Sequence, residues 1–350
     1  MSRPVRLVAL AARTPVGLTA EATAAAVRAG ISRITMHPIF ADANGDPVRC
    51  GYDATLGPDL HGGERMTALV RPVLADLARA LTGERTELAR VPVLLALPDA
   101  RPGFGAEDRR RVVQALAAAR VPGIARLEVR ESGGGHAGAL AGVAQAAGRI
   151  SRSEADLCIV AGLDSYLEGR TIDWLEESRL LDREGIRGGF PPGEGAAMVA
   201  LASDAGRQRL GLSSLATVRS AACENEERDP DGPEGPLGEA LTRAFISVAA
   251  SLRRPGERID DLYCDVNGER PRVTDLGFAL MRTAEFFRAA TDYRTAAGRV
   301  GDLGAATGAL SCILATRAWA RGYANGPTAL VVGSSWSGLR GAVVLAAGEG

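Results

Sequence analysis

Lysine is missing from the 350-residue chain; all 41 of its basic side chains are arginine. Without a primary amine on a side chain, Schiff-base chemistry and a phosphate-gripping lysine are both excluded. Cysteine is sparse and unorganised. The five residues Cys50, Cys158, Cys223, Cys264 and Cys312 are odd in number, scattered and never at metal-ligand spacing. They support neither a disulfide framework nor a zinc site, and they fit a reducing cytoplasm. Long apolar runs are missing too: the run within MSRPVRLVALAARTPVG is too short for a signal core and too interrupted by arginine for a membrane span. The expectation is a soluble cytoplasmic protein. Strong charge of either sign is also lacking, since 42 acidic residues against 41 basic ones leave a net charge of −1. Nothing global draws the chain to nucleic acid or to an anionic membrane.

What is present is apolar material, 46% of the residues, enough for one large or two fused domains. Short apolar runs alternate with alanine-rich helical stretches: Val5–Leu10 then Ala20–Ala29, Val91–Leu97 then Asp108–Ala119, the helix of Ala137–Ile150 then Leu157–Ala161, and Ala197–Ala202. This is an α/β pattern with largely buried strands. It begins again with Leu215–Ala222, helix Gly238–Leu252, strand Leu262–Val266, helices Gly277–Ala290 and Leu303–Ala320, and a closing pair, Ala329–Val332 and Ala342–Leu345. Two halves are expected, 1–203 and 212–350, joined by a polar connector at 204–211. The acidic, proline-rich segment Glu224–Pro236 reads as a mobile surface loop, and Asp173–Leu181 as an amphipathic surface helix suited to a dimer contact.

The stretch EVRESGGGHAGALAG, from Glu128 to Gly142, has the layout of an active-site front without a nucleophile. A strand-like run ends, three glycines follow, and a small-residue helix opens at a histidine. Further phrases sit in order along the chain: Arg13-Thr-Pro-Val-Gly17, Gly162-Leu-Asp-Ser-Tyr166, Gly189-Phe-Pro-Pro-Gly-Glu-Gly-Ala-Ala197, Gly301-Asp-Leu-Gly-Ala-Ala-Thr-Gly308 and Gly333-Ser-Ser-Trp-Ser-Gly338. Together they resemble the β-ketoacyl synthases of the thiolase superfamily over nearly the whole length. The resemblance implies the thiolase-like five-layered αβαβα fold with two pseudo-symmetric halves. It also implies a homodimer or a heterodimer with another thiolase-fold subunit, an acyl carrier protein or acyl-coenzyme A as partner, and no cofactor.

In that family a cysteine at the start of the buried helix of the first half takes the acyl group, and two histidines of the second half serve decarboxylation. Counting back from His136 puts Glu131 at the cysteine's place. The phrase Tyr263-Cys-Asp-Val-Asn-Gly-Glu269 puts Asn267 at the first histidine, and Gly301-Asp302-Leu303 puts Asp302 at the second. Trp336 stands about where a gating phenylalanine would, and Ser132, His136, Phe190 and Trp336 are candidate substrate-lining side chains. Chain-length-factor subunits also lack the cysteine but usually carry glutamine there.

A carboxylate cannot stand in for a thiolate in Claisen condensation, since its acyl form is a reactive anhydride. One reading is therefore a catalytically inactive synthase-like protein. It acts as a binding partner, scaffold or adaptor for an active ketosynthase or for a secretion-associated protein. In that reading Glu131 and Asp302 cap helices, Ser132 bonds the backbone, Asn267 makes a turn, His136 holds a buried hydrogen bond and Trp336 fills the pocket. The other reading is an atypical acyl-thioester enzyme, an acyltransferase, hydrolase or decarboxylase. There Glu131 and Asp302 share a proton for acid-base work while Asn267 donates to a substrate carbonyl. A carboxylate pair would admit a divalent cation, but the sequence supplies no remaining ligands.

Overall fold

The computed structural model describes residues 3–82, 88–228, 235–253 and 255–348. The first half runs β1 (Val5–Arg13), α1 (Ala20–Arg28), β2 (Ile34–Ala41), β3 (Pro47–Gly51), α2 (Gly62–Leu81), β4 (Val91–Leu97), α3 (Ala106–Ala117), β5 (Leu127–Gly134), α4 (Gly135–Ser151), β6 (Leu157–Ser165), α5 (Gly169–Glu177) and β7 (Glu194–Ser203). A short helix, α6 (Asp204–Arg209), occupies the polar connector. The second half runs β8 (Ala216–Asn225), α7 (Glu239–Ala249), β9 (Asp261–Tyr263), α8 (Arg270–Thr283), β10 (Tyr293–Arg294), α9 (Ala297–Val300), α10 (Thr307–Ala320), β11 (Thr328–Ser334) and β12 (Leu339–Ala347).

All of the strands except β2 and β3 form one ten-stranded sheet in the order β10-β9-β11-β12-β8-β1-β7-β6-β4-β5. The joint between halves is short, with Val5, Arg6 and Leu7 of β1 antiparallel to Val218, Thr217 and Ala216 of β8. Outward from the joint each half repeats one plan: first strand, last strand, fourth, second, third. The last strand of each half is antiparallel to its neighbours and the three outer strands are parallel, at β1-β7-β6-β4-β5 as at β8-β12-β11-β9-β10. The repeat seen in the sequence is therefore a repeat of topology.

Helix α4 packs on β4, β5 and β6 of the first half, on β8, β11 and β12 of the second, and on α10. Such a helix has no polar face to spare. Its first eight residues, Gly135 to Gly142, are all buried, and all but His136 and Leu140 are glycine or alanine. Small side chains are what allow a helix to lie between two sheet faces. Helices α2 and α3 cover the outer face of the first half, α7 and α8 that of the second. The layers are thus helix, sheet, helix, sheet, helix. Strands β6 and β7 are buried at every residue, so LCIVAGLDS and EGAAMVALAS read as continuous apolar runs.

Two helices lie earlier than expected. The helix placed at Gly277–Ala290 is α8, Arg270–Thr283, because Arg272 and Asp275 occupy buried positions as ion pairs and hide the apolar period until Leu276. The helix placed at Asp173–Leu181 is α5, which Glu168 caps by accepting from the Thr171 N–H. In the acidic segment, Glu224 and Asn225 close β8, and residues 229–234 lie outside the described residues. Among the described residues no helix is long and apolar enough to cross a membrane.

Candidate functional site

In a parallel α/β sheet the carboxyl ends of the strands converge on one side, and the side chains just past those ends meet there. Here β4 delivers Asp99, β5 the Gly134–Gly135 turn, β6 Tyr166, β9 Asp265 and Asn267, and β11 Ser335 and Trp336. Asp302 arrives from the segment before α10. Gly301 turns the chain there at φ +79°, and the Asp302 N–H donates to the Pro191 carbonyl at 2.8 Å. The Gly-Phe-Pro-Pro phrase thus anchors Asp302 through its backbone.

Asp302 is 1% exposed and every one of its bonds is internal. Oδ1 accepts from His136 Nε2 at 2.8 Å, from the Gly304 N–H at 2.6 Å and from the Tyr166 hydroxyl at 3.4 Å. Oδ2 lies 3.0 Å from the same His136 nitrogen and accepts from the Asn267 amide. Burial pushes the Asp302 carboxyl up, but His136, Arg272 and the Gly304 N–H override it and hold the group well below the usual carboxylate range. It is a fixed anion, not a base.

His136, 2% exposed, sets Nδ1 3.4 Å from the Arg272 guanidinium. Burial and Arg272 lower its proton affinity; the Asp302 carboxylate raises it, and the net direction is upward. In the neutral ring, Nε2–H donating to Asp302 and Nδ1 accepting from Arg272 satisfies both nitrogens. Arg272 itself is clamped by Asp265, Glu269 and the Ser334 carbonyl. Asn267 donates to Glu269 and to Asp302 and accepts from the Glu269 N–H, so both amide protons are committed and none is left for a substrate carbonyl.

Gly135 opens α4 at φ +62°, a backbone conformation that disfavours any side chain. A Cβ there would collide with the Asp99 carboxylate and come within 2.9 Å of Ser335 Cβ. Asp99 is held in place by accepting from the Trp336 N–H at 2.9 Å. Ser335 crosses from the second half to donate to the Gly134 carbonyl at 2.7 Å and accept from the Ala137 N–H at 2.9 Å, supplying the cap that α4 does not find in its own sequence. The Trp336 indole donates to Glu269 at 2.8 Å and lies edge-on to His136, Tyr166 and Trp174, with ring centroids 6.2, 6.2 and 5.2 Å away. Phe190, fully buried, completes this aromatic cluster.

Of the residues singled out in the sequence, His136, Asn267, Asp302, Phe190 and Trp336 come together. Glu131 and Ser132 do not. The count that put Glu131 at the helix start is corrected by the length of β5, which runs to Gly134 and keeps Glu131 inside the strand opposite Leu95. Its carboxylate, 39% exposed, pairs with Arg109 of α3, so the expected Glu131–Asp302 pair does not form. Ser132 donates to the Gly138 carbonyl at 2.9 Å and braces the turn. Asp99, Glu269, Arg272 and Ser335 belong to the centre without standing out in the sequence. The signal for Asp99 was its place two residues beyond a buried strand; for Arg272, a helix opening with arginine on both sides of Pro271.

None of the five thiols is activated. Burial pushes Cys158 and Cys223 up to about 11 and Cys50, Cys264 and Cys312 up to about 12, the reverse of an activated cysteine. Among the described residues no group of three or more His, Cys, Asp and Glu side chains is placed to hold a metal ion.

By sequence the chain matches no family model and no curated protein. By structure it is similar to a type II PKS acyl-carrier protein and ketosynthase complex bound to a hexaketide, at TM-score 0.79 and 14% identity over the whole of both chains. It is similar to the ishigamide ketosynthase/chain length factor at 0.80 and 16%, again over both whole chains. The ketosynthase from module 6 of the bacillaene synthase of Bacillus subtilis matches at 0.73 and 13%, over 99% of this chain and 72% of that one. The fold is that of the ketosynthases and chain length factors.

Proposed function

We propose that this chain is a ketosynthase-like protein that does not condense acyl groups and works by binding. It would be a partner or scaffold for another thiolase-fold subunit or an acyl carrier protein, with residues 1–203 and 212–350 as its two halves. One observation carries the reading. At the glycine that opens the buried helix, where the family's resemblance calls for a nucleophile, the space a side chain would enter is taken by the Asp99 carboxylate. The rest agrees with it. Asp302 is a saturated anion, Asn267 has no free donor, and Trp336 sets its indole edge-on to His136. The similar structures that contain an acyl-carrier protein or a chain length factor suggest which kinds of partner to try. The acyl-thioester enzyme built on Glu131 and Asp302 has no observation in its favour, because each carboxylate is paired elsewhere.

The test is intact-mass spectrometry after incubation with acyl- and malonyl-coenzyme A, alongside native mass spectrometry of the chain alone and with an acyl carrier protein. The expected result is no acyl adduct and no loss of malonyl thioester, with a defined two-chain assembly. A covalent acyl adduct or turnover of malonyl thioester would overturn the proposal.

A further inference from the structure

Glycine in a helix interior is unfavourable, because it loses more freedom on folding than any other residue and packs no side chain. It is retained where something else needs the place its side chain would take. In α4 that neighbour is present. A Cβ at Gly138 would lie 2.7 Å from the Gly133 carbonyl oxygen, and one at Gly142 would lie 2.8 Å from Val160 Cγ1. Gly277, in the middle of α8, is different. The residue is exposed, and a Cβ there would meet no atom within 4 Å. Among the described residues, nothing in the chain itself calls for glycine at that position.

The residues one turn before and one turn after Gly277 are apolar and uncovered. Val273 is 43% exposed and Met281 is 74% exposed. Positions 273, 277 and 281 follow at four-residue spacing, so they form one ridge about 12 Å long, with a notch where Gly277 has no side chain. The core face of α8 is separate from this ridge, since Leu276, Ala279 and Leu280 are already buried. Arg270 and Arg282 stand near the two ends of the ridge, and neither has a carboxylate within ion-pair distance among the described residues. Arg282 donates instead to the Leu237 carbonyl and lies 5.5 Å from the centroid of the Phe278 ring. Glu285, the acid next along the exposed side, is already engaged.

We propose that the Val273–Gly277–Met281 ridge of α8 is the docking face for one amphipathic helix of another protein, acidic beside its apolar side. A large apolar side chain of that helix enters the notch at Gly277 between Val273 and Met281, and its carboxylates meet Arg270 and Arg282. A second copy of this chain fits worse. Were α8 to cross its own copy at Gly277 in the antiparallel sense, Arg270 of one copy and Arg282 of the other would share an end of the contact, like charge against like. The inference rests on the reading that the chain works by binding, and it adds what the partner must present.

The experiment is fluorescence anisotropy of a labelled helical peptide, with leucines on one face and glutamates beside them, titrated with the full chain. The same peptide with lysines in place of the glutamates is the control. Gly277→Ala, Met281→Ala and Arg270→Glu are measured beside the wild type, together with Ile39→Ala, which trims a comparably exposed apolar side chain of the first half. Saturable binding is expected, about tenfold tighter for the glutamate peptide than for the lysine one, and weaker in high salt. Met281→Ala should lose about tenfold in affinity, Arg270→Glu a few-fold, and Ile39→Ala nothing. In Gly277→Ala the added methyl fills the notch, so affinity should drop about tenfold while the melting temperature rises, because alanine is the better helix former. That opposite movement separates a glycine kept for a partner from one kept for the fold. The proposal is overturned by no saturation, by equal affinity for the lysine peptide, or by affinity unchanged in both Gly277→Ala and Met281→Ala. It is equally overturned if Gly277→Ala lowers the melting temperature. None of these results bears on whether the chain condenses acyl groups, a reading that fails only on an acyl adduct or on turnover of malonyl thioester.

Discussion

Asp302 and Glu131 each stand just ahead of a helix of the central layer, and the fold treats them oppositely. Asp302 is sealed between the halves, with His136, Asn267, Tyr166 and a backbone N–H spent on it. Glu131 lies on the edge strand β5 with one arginine for company and water around it. The difference teaches what makes a carboxylate part of a centre. Neither the residue type nor its distance from a helix start decides it. The decisive feature is whether the residue is carried into the space between the halves, as the Gly301 turn carries Asp302, or held within a strand at the rim.

The largest expected effect follows from the buried member of the pair. Asp302→Ala leaves His136 and the Asn267 amide buried without the carboxylate they bond, while Arg272 keeps Asp265 and Glu269, a change that costs about 3–5 kcal/mol. Chemical denaturation measures it, and Asp302→Asn, which keeps the volume, separates lost charge from lost packing. A loss under about 1 kcal/mol in Asp302→Ala would mean that the centre is not held by charge at all.

Next in size is the turn that faces Asp302. Gly135→Ala must adopt φ +62° and push on Asp99 and Ser335, for a loss of about 1–3 kcal/mol. Pairing it with Asp99→Gly should recover part of that loss by clearing the space, although the Trp336 N–H then loses its acceptor. Additive losses in the double-mutant cycle would show that the carboxylate does not crowd position 135.

The pH dependence of stability compares two buried histidines, one of them tied to Asp302. The folded affinity of His136 for its proton is raised above the ordinary 6.5, so its contribution is complete below about 6.5 and fades as pH climbs through the folded value. His37 is the reverse. Burial and then Arg65 lower it to about 4, so it stabilises the folded chain above 6.5 and that stability is lost as pH falls toward 4. Denaturation midpoints across pH should therefore fall less steeply above 6.5 in His136→Gln than in wild type, and less steeply between 6.5 and 4 in His37→Gln. Parallel profiles in all three proteins would contradict the assignment.

Much of this was legible in the sequence, and the illegible part has a common cause. The duplicated α/β plan was written in apolar runs, which burial on both faces makes continuous. Asn267 and Asp302 are legible through the resemblance, which sets them at the places of the family's two histidines, each beside a glycine. Asp99 and Ser335 are not legible because they bond across the two halves, and Glu269 and Arg272 are not because a charged pair near a helix start looks like a surface pair until the fold buries it with Asp265 and Trp336. The same blindness moved α8 by seven residues, since Arg272 and Asp275 look like surface positions until their buried partners, Asp265 and Arg340, are known.

The smallest expected effect closes the comparison. Glu131→Gln removes one charge from a pair whose members are 39% and 30% exposed, so water screens most of what the ion pair supplies and the loss should stay within about 0–1 kcal/mol. The glutamine can still accept from Arg109, and Arg109 keeps its bond to the Pro98 carbonyl at 2.9 Å. Whatever partner binding the protein shows should survive the change, and its residual dependence on salt should shrink with the lost charge. A stability loss as large as that of Asp302→Ala would put Glu131 back in the centre and undo the distinction between the exposed strand rim and the sealed centre on which the site assignment stands.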